Sequence, residues 1–170
     1  VADRWRLPLL VSERYEFTTP TEEGIEYIAE NLRAADREEG YATFGHRRHL
    51  DGIRLSLAAS DDVVMGVSAY GEPVALLGVS TVSALYNIGC PWMLATDAAY
   101  RYSRAFIECG RAYTRAMLGE YDSLENHVDA RNTKSVAWLQ RMGFRIEPAE
   151  PFGAFGMPFH PFRIERSTNV

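Results

Sequence analysis

Several groups of residues in this chain have the types and spacing to do chemistry. The stretch DARNTKSVAWLQRMGF, Asp129–Phe144, places Asn132 at the mouth of a short apolar-periodic helix. Ser135 lies in its first turn, and Gly143-Phe144 closes it. The first N–H groups of a helix have no intrahelical partner, so such a mouth either caps itself or holds a ligand. Asn serves both uses, and a first-turn Ser either reaches a ligand or bonds the backbone. Just upstream, SLENHVDA alternates Leu124, Asn126 and Val128 against Glu125, His127 and Asp129. His127 and Asp129, with Asp97 at the end of PWMLATD, are side-chain types able to take up a proton. In RAADREE, Arg33, Asp36 and, less directly, Glu39 fall near one helical face by i, i+3 spacing. Such a run is either ordinary charge pairing or an acidic face. Arg101 and Arg104 flank the start of YSRAFIECGRAYTRAMLGEY, as solvated side chains or as donors to an anion.

The composition narrows the classes of function. The net charge of −5 and pI near 5.4 argue against non-specific nucleic-acid binding, which needs a basic surface. They leave room for a small anion held by a local Arg cluster. No apolar run approaches the roughly 20 residues that span a bilayer, so no membrane span is expected. The beginning of the chain, VADRWRLPLLVSERYEF, carries only a short apolar patch and does not read as a signal peptide. Cys90 and Cys109 fit no metal or redox spacing and read as reduced thiols. At 170 residues the chain reads as an N-terminal arm, 1–13, followed by a single domain over 14–170.

These residues need elements to hold them. RYEFTTP reads as a first strand. TPTEEGIEYIAENLRAADREEG reads as one helix, with Thr19 and Glu22 at capping-box spacing and Ile25, Ile28, Leu32 and Ala35 on its apolar side. A second helix is expected over about His46–Ala59. VVMGVSAYGEPVALLGVSTV reads as two strands joined at Gly71-Glu72-Pro73, and PWMLATD as a further strand. Phe106, Cys109, Tyr113 and Met117 make one helical stripe. SLENHVDA is a strand, Thr133–Met142 a helix, and FRIEPAEPFG with PFHPFRIER a strand pair interrupted by prolines. The expected class is α/β (α+β), a central mixed sheet of about six or seven strands flanked by about four helices.

This order, with N132-T-K-S135-V-A-W-L139-Q-R-M-G143-F144, resembles the GCN5-related N-acetyltransferase (GNAT) superfamily over about residues 14–165. LRAADREE, GEPVALLGV, PWMLATD and VDARNTKSVAWLQRMGF look closest to a bacteriophage-encoded GNAT-like group that includes acetyltransferases and internal virion proteins. The resemblance implies a GNAT-like fold and acetyl-CoA as co-substrate, with no metal. It implies Asn132 and Ser135 beside the CoA chain, and Arg101 and Arg104 near its pyrophosphate, where the family carries a glycine-rich loop. It implies direct attack by a primary amine on the thioester, whose oxygen is polarised by a backbone N–H of the Thr81–Asp97 region. Asp97 is then the first candidate base or amine anchor, with His127 and Asp129 second. Asp36 and Glu39 lie on the acceptor side, where an acidic face suits a cationic amine. Leu139 stands where many members carry a Tyr that protonates the leaving thiolate, and leucine does no acid chemistry. Enzyme status therefore stays open. One expectation is a transferase with acyl-CoA and an amine as partners. The other is a silent virion or host-takeover protein whose partners are phage or host proteins. A CoA sensor without turnover is a third. The expected location is the host cytoplasm, with packaging in the virion under the second reading.

Overall fold

The computed structural model describes Leu10–Ser12 and residues 15–167. Of the arm expected over 1–13, only Leu10–Ser12 belongs to these, and the rest of it lies outside the described residues. The chain forms β1 (Leu10–Ser12), β2 (Tyr15–Thr18), α1 (Glu22–Glu30), α2 (Ala34–Phe44), α3 (His49–Ala59), β3 (Asp62–Ser68) and β4 (Pro73–Ser83). It continues with β5 (Ile88–Ala95), α4 (Ala98–Arg101), α5 (Ser103–Glu120), β6 (Ser123–Asp129), α6 (Thr133–Met142), β7 (Arg145–Ile146), β8 (Glu150–Phe152) and β9 (Met157–Glu165).

All strands belong to one nine-stranded sheet, ordered β1-β2-β3-β4-β5-β6-β9-β7, with β8 pairing β9. Every pairing is antiparallel except β5 with β6. The mixed α/β class is as expected. The additional strand is β1, three residues long, and the strand expected over FRIEPAEPFG is two short pieces, β7 and β8, that both pair with β9.

The sheet buries both faces. Against one face, Phe106, Cys109, Tyr113 and Met117 of α5 pack as the expected stripe, joined by Leu139 and Met142 of α6. Against the other, Ile25 and Ile28 of α1 and Ile53 of α3 meet Met65 and Leu76. Strand β4 is covered on both sides, which is why Val74–Val79 is a continuous buried run rather than an alternation.

The single helix expected over TPTEEGIEYIAENLRAADREEG is two helices. Thr21, not Thr19, is the cap: its side chain accepts from the Gly24 N–H at 3.1 Å. The break at Asn31–Arg33 comes from tertiary pairing. Leu32 bridges to Thr96, and the Arg33 N–H donates to Ala95 O at 2.9 Å. The chain thus adds a short strand-like contact to the end of β5 before α2 starts. The far end of α2 is held by the β8–β9 turn, where the Ala154 N–H donates to Ala42 O at 2.9 Å. Gly153 has φ +73°, and a Cβ there would stand 2.4 Å from Ala42 O, so only glycine fits the approach.

Candidate functional site: a cavity in a split between two parallel strands

β5 and β6 are hydrogen-bonded only at their beginnings, Ile88 with Ser123 and Gly89 with Leu124. Beyond that point β6 pairs along its length with β9, from Ser123–Glu165 to Asp129–Phe159, while β5 stays with β4. The two strands therefore diverge. Pro91 sits at the divergence and has no N–H to offer β6. The Asn126 Nδ2 group reaches back across the gap to Pro91 O at 2.9 Å.

Residues of β5 alternate between facing β4 and facing the gap. On the gap side, Asn87 O accepts from the Asp122 N–H at 2.9 Å, and Pro91 O from Asn126. Ala95 accepts from the Arg33 N–H and gives its own N–H to Asp36 Oδ2 at 2.8 Å. Met93 has the same orientation, so its amide is the open donor on this edge among the described residues.

The gap opens into a cavity of about 170 Å³. Its walls are α2 and α3 on one side of the sheet and α5 and α6 on the other, with Trp92 and Met93 of β5 between them. Trp92 lies flat over Gly78, where a Cβ would come within 2.5 Å of the indole, and its Nε1 donates to Ser60 Oγ at 2.8 Å. A second cavity, of about 350 Å³, lies between α4, α5 and α6 and shares Met93, Ser135 and Trp138 with the first. Trp138 stands at the junction, and its buried Nε1 has no hydrogen-bond partner among the described residues. An orphaned buried donor is rare in a folded protein and calls for an explanation.

The break before α2 aims its acidic residues. Arg33 clasps Asp36 through Nε at 3.0 Å and Nη2 at 2.7 Å, and both are 5% exposed. With the Ala95 N–H also bound, Asp36 borders the cavity as a structural carboxylate tying α2 to β5. Glu39, one turn further on, also borders the cavity and has no ion-pair partner among the described residues. Asn132 Nδ2 donates to its Oε2 at 3.0 Å. Parts of Glu39 touch solvent, but its carboxyl is desolvated, and burial pushes its pKa up from 4.5 to about 7. The Asn132 hydrogen bond opposes that rise, and the nearby Asp36 and Asp129 carboxylates add to it.

The residues expected to act as the base are dispersed. Asp97 is exposed at the start of α4 and borders neither cavity. His127 borders the first cavity, but its ring stacks on Phe152 at 4.0 Å between centroids, with Nε2 3.3 Å from Glu150 Oε1. Asp129 is 2% exposed and grips Arg131 through Nε at 2.9 and 3.1 Å and Nη2 at 2.5 Å. Burial would raise its pKa, but the Arg131 hydrogen bonds outweigh this and hold it below the ordinary value.

Asn132 caps α6, its Oδ1 accepting from the Ser135 N–H at 3.3 Å while its amide nitrogen serves Glu39. The helix closes on Gly143 at φ +98°, with the Gly143 and Phe144 N–H groups donating to Gln140 O and Leu139 O at 3.0 and 3.1 Å. Leu139 is buried and borders the first cavity, so no hydroxyl occupies that position. Arg101 donates to Glu72 at 2.7 and 2.9 Å, Arg104 lies 3.4 Å from Glu108, and neither borders a described cavity. The cations beside the second cavity are instead Arg33, which Asp36 holds, and Lys134 and Arg141, which pair with no carboxylate among the described residues. Lys134 Nζ sits 4.2 Å over the Tyr100 ring. Their i, i+7 spacing on one face of α6 is a signal present in the sequence.

No protein-family model and no curated protein sequence matches the chain. Solved structures do. A spermidine N-acetyltransferase from Vibrio cholerae, in complex with CoA and spermine, aligns with a TM-score of 0.66 over 91% of this chain and 97% of its own, at 11% identity. A GNAT-family acetyltransferase from Bacillus anthracis gives 0.69 over 94% and 98%, at 12% identity. A GCN5-related N-acetyltransferase from Kribbella flavida gives 0.64 over 89% and 97%, at 15% identity. At these identities the likeness speaks for architecture alone, and that architecture is the fold of the GCN5-related N-acetyltransferases.

Proposed function

We propose that this chain transfers an acetyl group from acetyl-CoA to a primary amine by direct attack, with no covalent enzyme intermediate. The observation that carries the reading is the β5–β6 split, which leaves the Met93 amide open in a cavity reached from both faces of the sheet. A backbone donor fixed in a desolvated site stabilises charge developing on a carbonyl oxygen without reorganising. What supports the co-substrate is that Lys134 and Arg141 border the second cavity without a carboxylate partner, that Trp138 Nε1 lacks an acceptor among the described residues, and that Met93 offers an open strand edge. Acetyl-CoA supplies the activated thioester. The protein's part is to bind and orient it, exclude water and manage the proton of the amine. Calorimetry with acetyl-CoA and desulfo-CoA tests binding, and thiol release across a panel of amines tests turnover. No heat at high-micromolar ligand would end the reading.

The resemblance to phage-encoded proteins carries a second reading, a virion or host-takeover protein that keeps the fold and lacks the chemistry. The observation favouring it is the pairing of Arg101 and Arg104 with Glu72 and Glu108, together with Leu139 in the wall. Binding of acetyl-CoA with thiol release would remove it. Recovery of the chain from purified particles with no such binding would establish it.

A further inference from the structure

We infer that Glu39 takes the proton of the incoming ammonium group, and that the acceptor is a monoamine with an apolar body. The inference rests on the acetyl-transfer reading above and names the acceptor and the base of that same site.

The acidic groups at the cavity separate into engaged and available. Among the described residues, Asp36 and Glu39 are the carboxylates on its wall, and no Lys or Arg borders it. Asp36 is held by Arg33 and by the Ala95 N–H. Around Glu39, the neighbouring charges are also matched: Glu38 pairs with Arg47 on the outer side of α2, and Asp129 pairs with Arg131 at the end of β6. His127, also on β6, is stacked on Phe152 beside Glu150. Among the described residues, Glu39 alone keeps a carboxyl at the cavity without an ion-pair partner, and a carboxyl desolvated in this way is matched to proton transfer near neutral pH.

The rest of the wall at the α2–α3 end describes the molecule that carries the amine. Phe44, Trp92 and Leu94 supply apolar surface there, with Gly40 and Ser56 between them. One available carboxylate answers one cation. A second ammonium group of a polyamine would be desolvated without a partner, at a cost an apolar group escapes.

The steps balance. The ammonium gives one proton to the Glu39 carboxylate, and the freed nitrogen pair bonds to the thioester carbon. The carbon–sulfur bond breaks with its electrons on sulfur, and the second proton from nitrogen reaches that sulfur. The products are amide and free thiol, and Glu39 returns its proton to solvent. No side-chain acid is called for at Leu139.

The test uses 2-phenylethylamine and spermidine with the wild-type protein, E39Q and E39D. For the wild type, kcat/KM for 2-phenylethylamine is expected to exceed that for spermidine at least about tenfold and to rise with pH through an inflection near 7. E39Q is expected to lose about 100-fold or more and the inflection with it, while acetyl-CoA binds unchanged; E39D keeps an inflection. Independently of turnover, 2-phenylethylamine alone is expected to bind the wild type more tightly as pH rises through 7, and E39Q about tenfold more weakly. Turnover and pH profile unchanged in E39Q would overturn the role of Glu39 and leave acetyl transfer standing. A preference for spermidine would overturn the acceptor class. Failure of the wild type to bind acetyl-CoA would overturn both this inference and the reading beneath it.

Discussion

Asn132 and Glu39 meet across the cavity, Asn132 Nδ2 donating to Glu39 Oε2 at 3.0 Å, although 93 residues separate them in the chain. The same side chain caps α6 through its Oδ1. One amide thus fixes a helix start and holds the desolvated carboxyl on the opposite helix. Replacing it separates the two effects. N132A is expected to lose about 1 kcal/mol from the missing cap. It is also expected to push the Glu39 pKa further up, because the lost hydrogen bond favoured the charged form. A carboxyl carbon titration by NMR reads the second effect and urea unfolding the first. A Glu39 titration unmoved by N132A would show that the contact carries no electrostatic weight.

The raised pKa of Glu39 makes stability depend on pH. Its folded value of about 7 lies above the ordinary 4.5, so between these values the native state binds more protons than the unfolded state. The contribution of protonated Glu39 is complete below pH 4.5 and is lost as pH rises towards 7, by an amount on the order of 3 kcal/mol. Gln at this position keeps an acceptor for Asn132 and carries no charge. E39Q is therefore expected to match the wild type at pH 4 and to exceed its stability at pH 8. Urea midpoints at the two values, with unchanged slopes, measure the difference. A variant that gains stability there while losing turnover is the usual sign of a group held in a costly state for function.

Asp36, unlike Glu39, has its carboxylate held by Arg33 and the Ala95 N–H. D36A leaves the Arg33 guanidinium buried without its partner, and removing one member of such a pair costs roughly 3–5 kcal/mol. The R33M/D36L double variant, apolar and of similar volume, is expected to recover most of that loss. It would also show whether α2 stays docked on β5 without the ion pair. A loss below about 1 kcal/mol for D36A would mean that the pair is no more than a surface contact.

These residues also show which parts of the architecture are legible in a sequence. Helix α6 is, because Asn132 and Gly143 mark both ends by local rules that need no partner. The stripe on α5 is, because its period of burial repeats along one element. The break between α1 and α2 is not. It depends on the Leu32–Thr96 bridge and on Ala95 accepting from the Arg33 N–H, contacts that exist only once β5 is in place. The difference between Asp36 and Glu39 is hidden for the same reason: both are acids on one helix, and only the third dimension gives Arg33 to one and Asn132 to the other. Nor does spacing reveal that Asp129 is taken up by Arg131, or that the His127 ring is stacked on Phe152 at the cavity's edge.

Under the acetyl-transfer reading, two pairs of cations compete for the phosphates of the co-substrate. Arg101 and Arg104 flank the start of α5, where the resemblance puts the pyrophosphate, but each has a carboxylate partner. Lys134 and Arg141 border the cavity between α5 and α6 and have none among the described residues. An already paired guanidinium gains less from a new anion, because the existing contact has to be given up. K134A/R141A is therefore expected to weaken acetyl-CoA binding about tenfold or more and to flatten its dependence on salt, since released counterions scale with the cations engaged. R101A/R104A is expected to change it less than about twofold. Calorimetry at two ionic strengths decides, with dephospho-CoA separating the terminal phosphate from the pyrophosphate. The reverse outcome, loss on removing Arg101 and Arg104 alone, would return the phosphate site to the start of α5 and require the Glu72 and Glu108 pairs to open on binding.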